Sequence, residues 1–598
     1  MSERKGVRAR FEREWLYLSG LVRTLLRVRS IAAHSTNLMT DDLEAAVDRW
    51  RDRQALSFEG KTLTYAELDA LANRYAHWAD SAGLRRGEVV ALLMPNRLEY
   101  LPIWFGLSKV GVVTALINNQ LAGAALAHCL SIAGANHCLV DEETLPAFEA
   151  AKEAVPHAMQ AWVLGGDSAG RHDLTQALRS CSQLRPDRER REGMTAHDTA
   201  LFIFTSGTTG LPKAARIAHM RAQLYMRGFA GATGAEADDR IYVALPFYHA
   251  TSGLCGAGAA LLNGGSVVIK KHFSASHFWS DVVAEGCTMF VYIGELCRYL
   301  AGQPENPDET RHKLRLAFGN GLRPDVWETM VDRFRVPRIL EFYGSTEGNV
   351  SMFNFDGKLG AIGRVPGYLK GFFNIRIVKF DVETETPVRA ADGRCIEAAI
   401  DEPGECLGEI EDNARDAYVG YADKAASEKK VLHDVFRAGV AWFRTGDLLR
   451  RDREGYFYFV DRIGDTFRWK GENVSTSEVA GALAAAPGVK EAEVYGVKVG
   501  DMDGRAGMAG LVVGPDFDAK AFGAFVAQRL PAFAQPAFLR LLPSIAVTGT
   551  FKYRKIDMVA QGFDPNLVKD PLYVRGPNGY QKLTRPLYAK VMSGELRL

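Results

Sequence analysis

The 598-residue chain is too long for a single core and requires two or more domains. Its 73 basic residues against 72 acidic ones leave a net charge of +1, which gives no general attraction to nucleic acid, and its 47% hydrophobic content is that of a globular protein. The eight cysteines are scattered without a C-x-x-C pair, which argues against a zinc site or a disulfide framework and points to a reducing, cytoplasmic compartment.

Residues 1–30 hold eight basic residues against three acidic ones, with Phe11, Trp15, Leu18, Val22 and Leu25 spaced by four and three. This predicts a basic amphipathic helix within residues 1–40, able to lie on the anionic inner face of a membrane or to pack on its own domain or on the second subunit of a homodimer. No uninterrupted apolar stretch reaches the ~18 to 20 residues of a membrane-spanning helix. The nearest, Leu101 to Ile117, is broken by Pro102, Lys109 and Gly111 and reads as a buried helix followed by a strand. Thr64-Tyr65-Ala66-Glu67 has capping-box spacing ahead of the helical face Leu68, Leu71, Tyr75 and Trp78.

Apolar runs at 89–94, 112–117, 201–204, 266–269 and 339–343 alternate with helical segments, which predicts layered α/β subdomains over residues 41–463. Loops at the strand ends are then the expected ligand sites. The charged run at 185–192 reads as a solvated loop, and residues 408–450 as polar and irregular. A smaller α+β domain is expected over 464–598, with a capping box at Ser475 and Glu478, strands near 489–499 and 510–513, a helix near 518–530 and a strand near 538–542.

After the run 201–204 comes Thr205-Ser206-Gly207-Thr208-Thr209-Gly210-Leu211-Pro212-Lys213. Its hydroxyls, its lysine and two glycines that let backbone amides approach closely suit the oxygens of a polyphosphate. The spacing is not that of a Walker loop. Four further segments follow: Tyr343-Gly344-Ser345-Thr346-Glu347, Thr445-Gly446-Asp447, Asp461-Arg462-Ile463-Gly464-Asp465 and Thr548-Gly549-Thr550-Phe551-Lys552.

With the Thr/Gly/Lys loop, these segments stand in the order and at the approximate separations of the acyl-adenylate-forming enzymes, which the chain resembles from about residue 45 to 575. More narrowly it resembles the fatty acid transport protein and very-long-chain acyl-CoA synthetase family. The strings Asp465-Thr-Phe-Arg-Trp-Lys-Gly-Glu-Asn-Val-Ser-Thr-Ser-Glu-Val479 and Gly562-Phe-Asp-Pro-Asn-Leu-Val-Lys-Asp-Pro-Leu572 carry that resemblance.

The resemblance implies a fatty acid-CoA ligase of the AMP-forming kind. It would use ATP, Mg²⁺ and CoA, with a mobile C-terminal domain. Fatty acid and ATP would give acyl-AMP, and CoA the thioester; uptake by trapping at a membrane, or ligation of bile-acid-like or carrier-protein substrates, are the alternatives. It places the phosphates on Thr205, Ser206, Gly207, Thr208, Thr209, Gly210 and Lys213, adenine on Tyr343 and the loop Gly319-Asn320-Gly321, and ribose on Asp447 and Arg462. Thr346 would bond a phosphate oxygen and Glu347 would meet Mg²⁺. Lys552 would serve adenylation, with Lys555 as its near competitor, and Gly464 would be the hinge. Pro246-Phe247-Tyr248-His249 resembles the segment at the acyl entrance, where Gly253, Gly256 and Gly258 are expected to leave room.

Overall fold

The computed structural model describes all residues except 1, 167, 169, 206–210, 471, 501, 503, 546–554, 577–578 and 597–598. By internal contacts the chain divides into two compact units. The first comprises Met1–Asn374, Gly408–Leu432 and Ala441–Phe443, and the second Ile375–Leu407, His433–Val440 and Arg444–Leu598. The fold class is α/β with a C-terminal α+β portion, as the alternation of apolar runs and helical segments predicts. A pivot at Gly464 concerns rotation rather than compactness.

Within the first unit the capping box at Thr64 forms. Its hydroxyl accepts the Glu67 N–H at 3.2 Å while Glu67 Oε2 accepts the Thr64 N–H at 2.8 Å, opening the helix Tyr65–Ser81. That helix packs on Tyr100–Lys109, every residue of which is buried, and the strand Val113–Leu116 follows. Lys109 is buried at the end of its helix because Asp69, at 2.6 Å, and Glu44, at 3.0 Å, neutralise it.

The solvated-loop reading of 185–192 holds for the exposed residues 187–190 and Glu192, and the same acids correct it at the two ends of the run. Arg191 is buried, pairing with Glu44 at 2.8 Å and Asp41 at 3.2 Å, and Arg185 pairs with Asp69 at 2.8 Å. A charge run lacks the periodicity that would reveal such partners, since the acids lie more than a hundred residues earlier.

Two sheets organise this unit. A seven-stranded sheet ends at the antiparallel pair Thr199–Thr205 and Lys213–Ala218. An eight-stranded sheet runs parallel through its middle and carries antiparallel edges at Ser351–Asn354 and Lys61–Thr64. The N-terminal helix, Ser2–Val28, packs on the helix His219–Thr233, with Thr24 backing Gly231, while the buried Tyr17 sets its ring 5.9 Å from that of Phe355 and donates its hydroxyl to the Arg364 carbonyl at 2.8 Å. Among the described residues no helix is long and apolar enough to cross a membrane.

In the second unit a five-stranded sheet orders Val489–Val497, Ala506–Val513, Phe538–Leu541, Leu572–Gly576 and Gly579–Lys582. Helices Thr476–Ala484 and Ala519–Arg529 lie where the sequence predicts them, and Ser475 caps the first by accepting the Glu478 N–H at 3.2 Å.

Candidate active site

Leu316–Asn320 and Ile339–Gly344 are neighbouring parallel strands, with Gly319 opposite Glu341, so the Gly319-Asn320-Gly321 loop and the Tyr343–Glu347 segment leave the same sheet edge side by side. Gly319 is required here, because a Cβ would lie 2.2 Å from the Tyr292 carbonyl oxygen. Asn320 Oδ1 is buried and finds no hydrogen-bond partner among the described residues, so an acceptor stands ready at the strand end. Tyr343 is half-buried.

Beneath this loop lies a residue that the sequence reading missed. Glu341 is fully buried; its Oε1 accepts the Leu322 N–H at 3.0 Å and its Oε2 the Tyr292 hydroxyl at 2.5 Å. With no cation beside it among the described residues, burial pushes the carboxyl up to about 8 despite those donors. It therefore fixes the turn that presents Asn320. An acid inside an otherwise apolar strand, Ile-Leu-Glu-Phe-Tyr, is the signal that could have found it.

A second missed residue joins the phosphate-loop flank to the Tyr343–Glu347 segment. Thr205 and Lys213 face each other across the hairpin that carries the loop; Ser206, Gly207, Thr208, Thr209 and Gly210 lie outside the described residues. Residues 420–422 run along the second strand of that hairpin, with the Ala422 N–H donating to Ala214 O at 2.9 Å and the Arg216 N–H to Gly420 O at 3.0 Å. This sets the Tyr421 ring under Lys213 Nζ, 5.5 Å from the centroid. The Tyr421 hydroxyl donates to Glu347 Oε1 at 2.8 Å.

Burial and the adjacent Glu347 charge push the Tyr421 phenol well above its ordinary range, so it stays a donor. Tyr225 braces the next turn by donating to the Ser345 carbonyl at 2.9 Å and, more weakly, to that of Thr346 at 3.3 Å. Tyr421 belongs to a stretch without periodicity and contacts a residue 74 positions away, so no local pattern announces it.

Tyr248 is buried and its ring packs 4.4 Å from that of His249. The expectation that Gly253, Gly256 and Gly258 leave room is overturned. Added Cβ atoms there would meet Phe247 O at 2.7 Å, Val291 Cγ1 at 3.2 Å and Met226 Cγ at 2.5 Å, so these glycines permit close packing and leave no void.

In the second unit Asp447 and Arg462 face each other across antiparallel strands, with Arg462 Nε 3.8 Å from Asp447 Oδ1. Asp461 has a structural part: its Oδ2 accepts the Thr476 N–H at 2.6 Å, adding a second cap to the helix that Ser475 opens. Gly464 has φ +90°, a backbone conformation that side-chain-bearing residues avoid, and open space where a Cβ would stand.

Lys555 is pinned by Glu493 at 2.8 Å, Asp465 at 3.2 Å and the Thr476 hydroxyl at 3.0 Å. Burial pushes Glu493 up to about 7 against the pull of Lys555, while the surrounding carboxylates outweigh burial and keep Lys555 charged. Lys555 is thus committed to internal partners. Lys552 lies outside the described residues.

The family model of the AMP-binding enzymes matches residues 43–405, and that of the AMP-binding enzyme C-terminal domain matches 478–552. The chain is 40% identical over 551 residues to the Mus musculus long-chain fatty acid transport protein 6, covering 90% of this chain and 88% of that one. The chain belongs to the AMP-binding enzymes, in the branch of the long-chain fatty acid transport proteins. The human long-chain fatty acid transport protein 1 is 38% identical over 602 residues, 98% of this chain and 92% of that relative.

Among solved structures, the anthranilate CoA ligase AuaEII in complex with anthranoyl-AMP superposes with a TM-score of 0.74 at 21% identity, over 88% of this chain and 97% of its own. A benzoate CoA ligase from Burkholderia xenovorans LB400 gives 0.73 at 20%, over 87% and 99%. These two establish that the AMP-binding enzyme in hand has the fold of such ligases.

Proposed function

We propose that this AMP-binding enzyme is an ATP-dependent acyl-CoA synthetase that activates a long- or very-long-chain fatty acid. The observation that carries the reading is the convergence of Thr205, Lys213 and Glu347 on Tyr421, whose ring lies under Lys213 and whose hydroxyl meets Thr205 and Glu347. Long-chain fatty acids enter through the relatives, which are long-chain fatty acid transport proteins. In the first step a carboxylate oxygen attacks the α-phosphorus and pyrophosphate leaves. In the second the CoA thiolate attacks the acyl carbonyl and AMP leaves.

No protein nucleophile takes part, so the chain contributes position and charge. Thr205, Ser206, Thr208, Thr209, Lys213 and the amides of Gly207 and Gly210 bind the β- and γ-phosphates. Tyr343 and the Gly319-Asn320-Gly321 loop receive adenine, Asp447 accepts from the ribose hydroxyls with Arg462 beside it, and Thr346 donates to a phosphate oxygen. Lys552 bridges the carboxylate and the α-phosphate, and the residues after Gly464 rotate between the steps. Tyr248 and His249 border the acyl entrance.

No group of three or more His, Cys, Asp or Glu side chains among the described residues could cage a metal. The lone acid Glu347, oriented by Tyr421, fits a Mg²⁺ that arrives on the triphosphate and needs one carboxylate from the protein. Such an ion supplies neutralisation of phosphate charge. The relatives' name as transport proteins favours one second role: forming the thioester removes free acid and so drives its uptake by trapping.

The test is AMP release by the purified chain across saturated fatty acids of medium to very long chain and a bile acid, with and without CoA. CoA-stimulated release that peaks among the long acids is expected. Release that peaks with the bile acid, or that ignores CoA, contradicts the substrate or the second step respectively.

A further inference from the structure

The strand Val89–Leu93 belongs to the seven-stranded sheet, and three residues beyond it Asn96 is buried at 3% exposure. Its side chain reaches across to the other sheet. The Nδ2 group donates to the Leu245 carbonyl at 2.9 Å and to the Lys270 carbonyl at 3.1 Å, and Oδ1 accepts the Phe247 N–H at 2.8 Å. Leu245 and Lys270 follow Arg240–Val243 and Ser266–Ile269, adjacent parallel strands of the eight-stranded sheet. One amide thus satisfies three backbone groups beyond the ladder and couples the two sheets where both present the carboxyl ends of their strands.

The clamped segment is Pro246-Phe247-Tyr248-His249. Beyond the bond to Asn96, the Phe247 ring lies 5.5 Å from that of Tyr100, and the Phe247 carbonyl sits 2.7 Å from where a Cβ on Gly253 would stand. Ser252 donates to the Pro246 carbonyl and, at 3.1 Å, to that of His249, so the segment is held from both sides. The Tyr248 and Tyr100 hydroxyls are buried and find no hydrogen-bond partner among the described residues. An unmet buried hydroxyl costs stability, so a segment with only a packing task has no use for two of them; beside a clamped loop they leave polar groups for a ligand.

We propose that Asn96 is a positioning residue for the acid substrate, holding the 246–249 backbone so that Tyr248 and His249 line the path of that acid. The inference rests on the reading that these two residues border the acyl entrance. Asn96 acts through the segment and touches no reacting atom. Its three bonds run to Leu245, Phe247 and Lys270 and not to the Thr205–Lys213 hairpin or the Gly319-Asn320-Gly321 loop, so its removal should fall on the acid and spare ATP.

Steady-state kinetics of the full chain, with a long-chain fatty acid and ATP varied in turn, test it. Asn96→Ala should raise KM for the acid about tenfold or more while KM for ATP stays within about twofold of wild type. Asn96→Ser, which keeps a short hydroxyl, should fall between the two and supplies the same pair of constants if Asn96→Ala does not fold. Adding His249→Ala should raise the acid KM by less than the product of the single effects, because both act through one segment. An acid KM unchanged at Asn96 while His249→Ala raises it would overturn the positioning role alone, and so would effects that multiply in full. Silence of both substitutions would overturn the acyl-entrance reading together with the proposal. Acid and ATP constants that rise in parallel would show a general loosening of the unit and contradict it as well.

Discussion

Glu341 in the first unit and Glu493 in the second are both buried carboxylates with raised proton affinity, to about 8 and about 7, yet they are held in different ways. Among the described residues Glu341 has hydrogen-bond donors and no cation, and it locks a turn between packed parallel strands. Glu493 shares Lys555 with Asp465, the residue next to Gly464. A frame of neutral hydrogen bonds is fixed by the sheet around it. A cluster in which three acids and one cation share protons and contacts can change partners, which suits a segment proposed to rotate.

Breaking each arrangement should expose that difference. Lys555→Met leaves Glu493, Asp465 and Asp461 without their cation and should cost about 3 kcal/mol, read as lost hydrogen-exchange protection in the second unit's sheet with the first unit unchanged. Glu341→Leu strands the Leu322 N–H and the Tyr292 hydroxyl and should cost about 2 kcal/mol, with a raised KM for ATP. Tyr421→Phe, which frees Glu347, should cost about 1 kcal/mol of Mg·ATP binding, seen as a several-fold rise in the Mg²⁺ concentration for half-maximal rate.

A further effect concerns pH. Folding raises the Glu341 carboxyl from its ordinary 4.5 to about 8, so the folded state binds the extra proton and its contribution is full below 4.5 and is lost as pH rises through about 8. Glu341→Gln should flatten that decline in Tm. An unchanged slope would show that another group causes it. Gly464→Pro, with φ fixed against the observed +90°, should slow thioester formation more than adenylation.

What the sequence could reveal followed from how local the signal was. The caps at Thr64 and Ser475, and strands such as Ser266–Ile269, are set within a few residues and were legible. The loop from Thr205 to Lys213 was visible by its composition and its neighbourhood. Tyr421, Glu341 and the buried Arg191 were not, because each acquires its meaning from partners far away in the chain: Glu347, the Tyr292 hydroxyl with the Leu322 amide, and the acids Asp41 and Glu44. The apolar stripe of the N-terminal helix was read from spacing, but that its other face is already occupied needed the fold.

The central claim is a two-step ligation in which Lys552 serves only the first step. The direct measurement separates the half-reactions of Lys552→Met: fatty-acid-dependent pyrophosphate release from ATP, and thioester formation from supplied acyl-AMP and CoA. The first should fall by about 10²- to 10³-fold while the second stays near wild type. Equal losses in both, or an intact first step, would contradict the account.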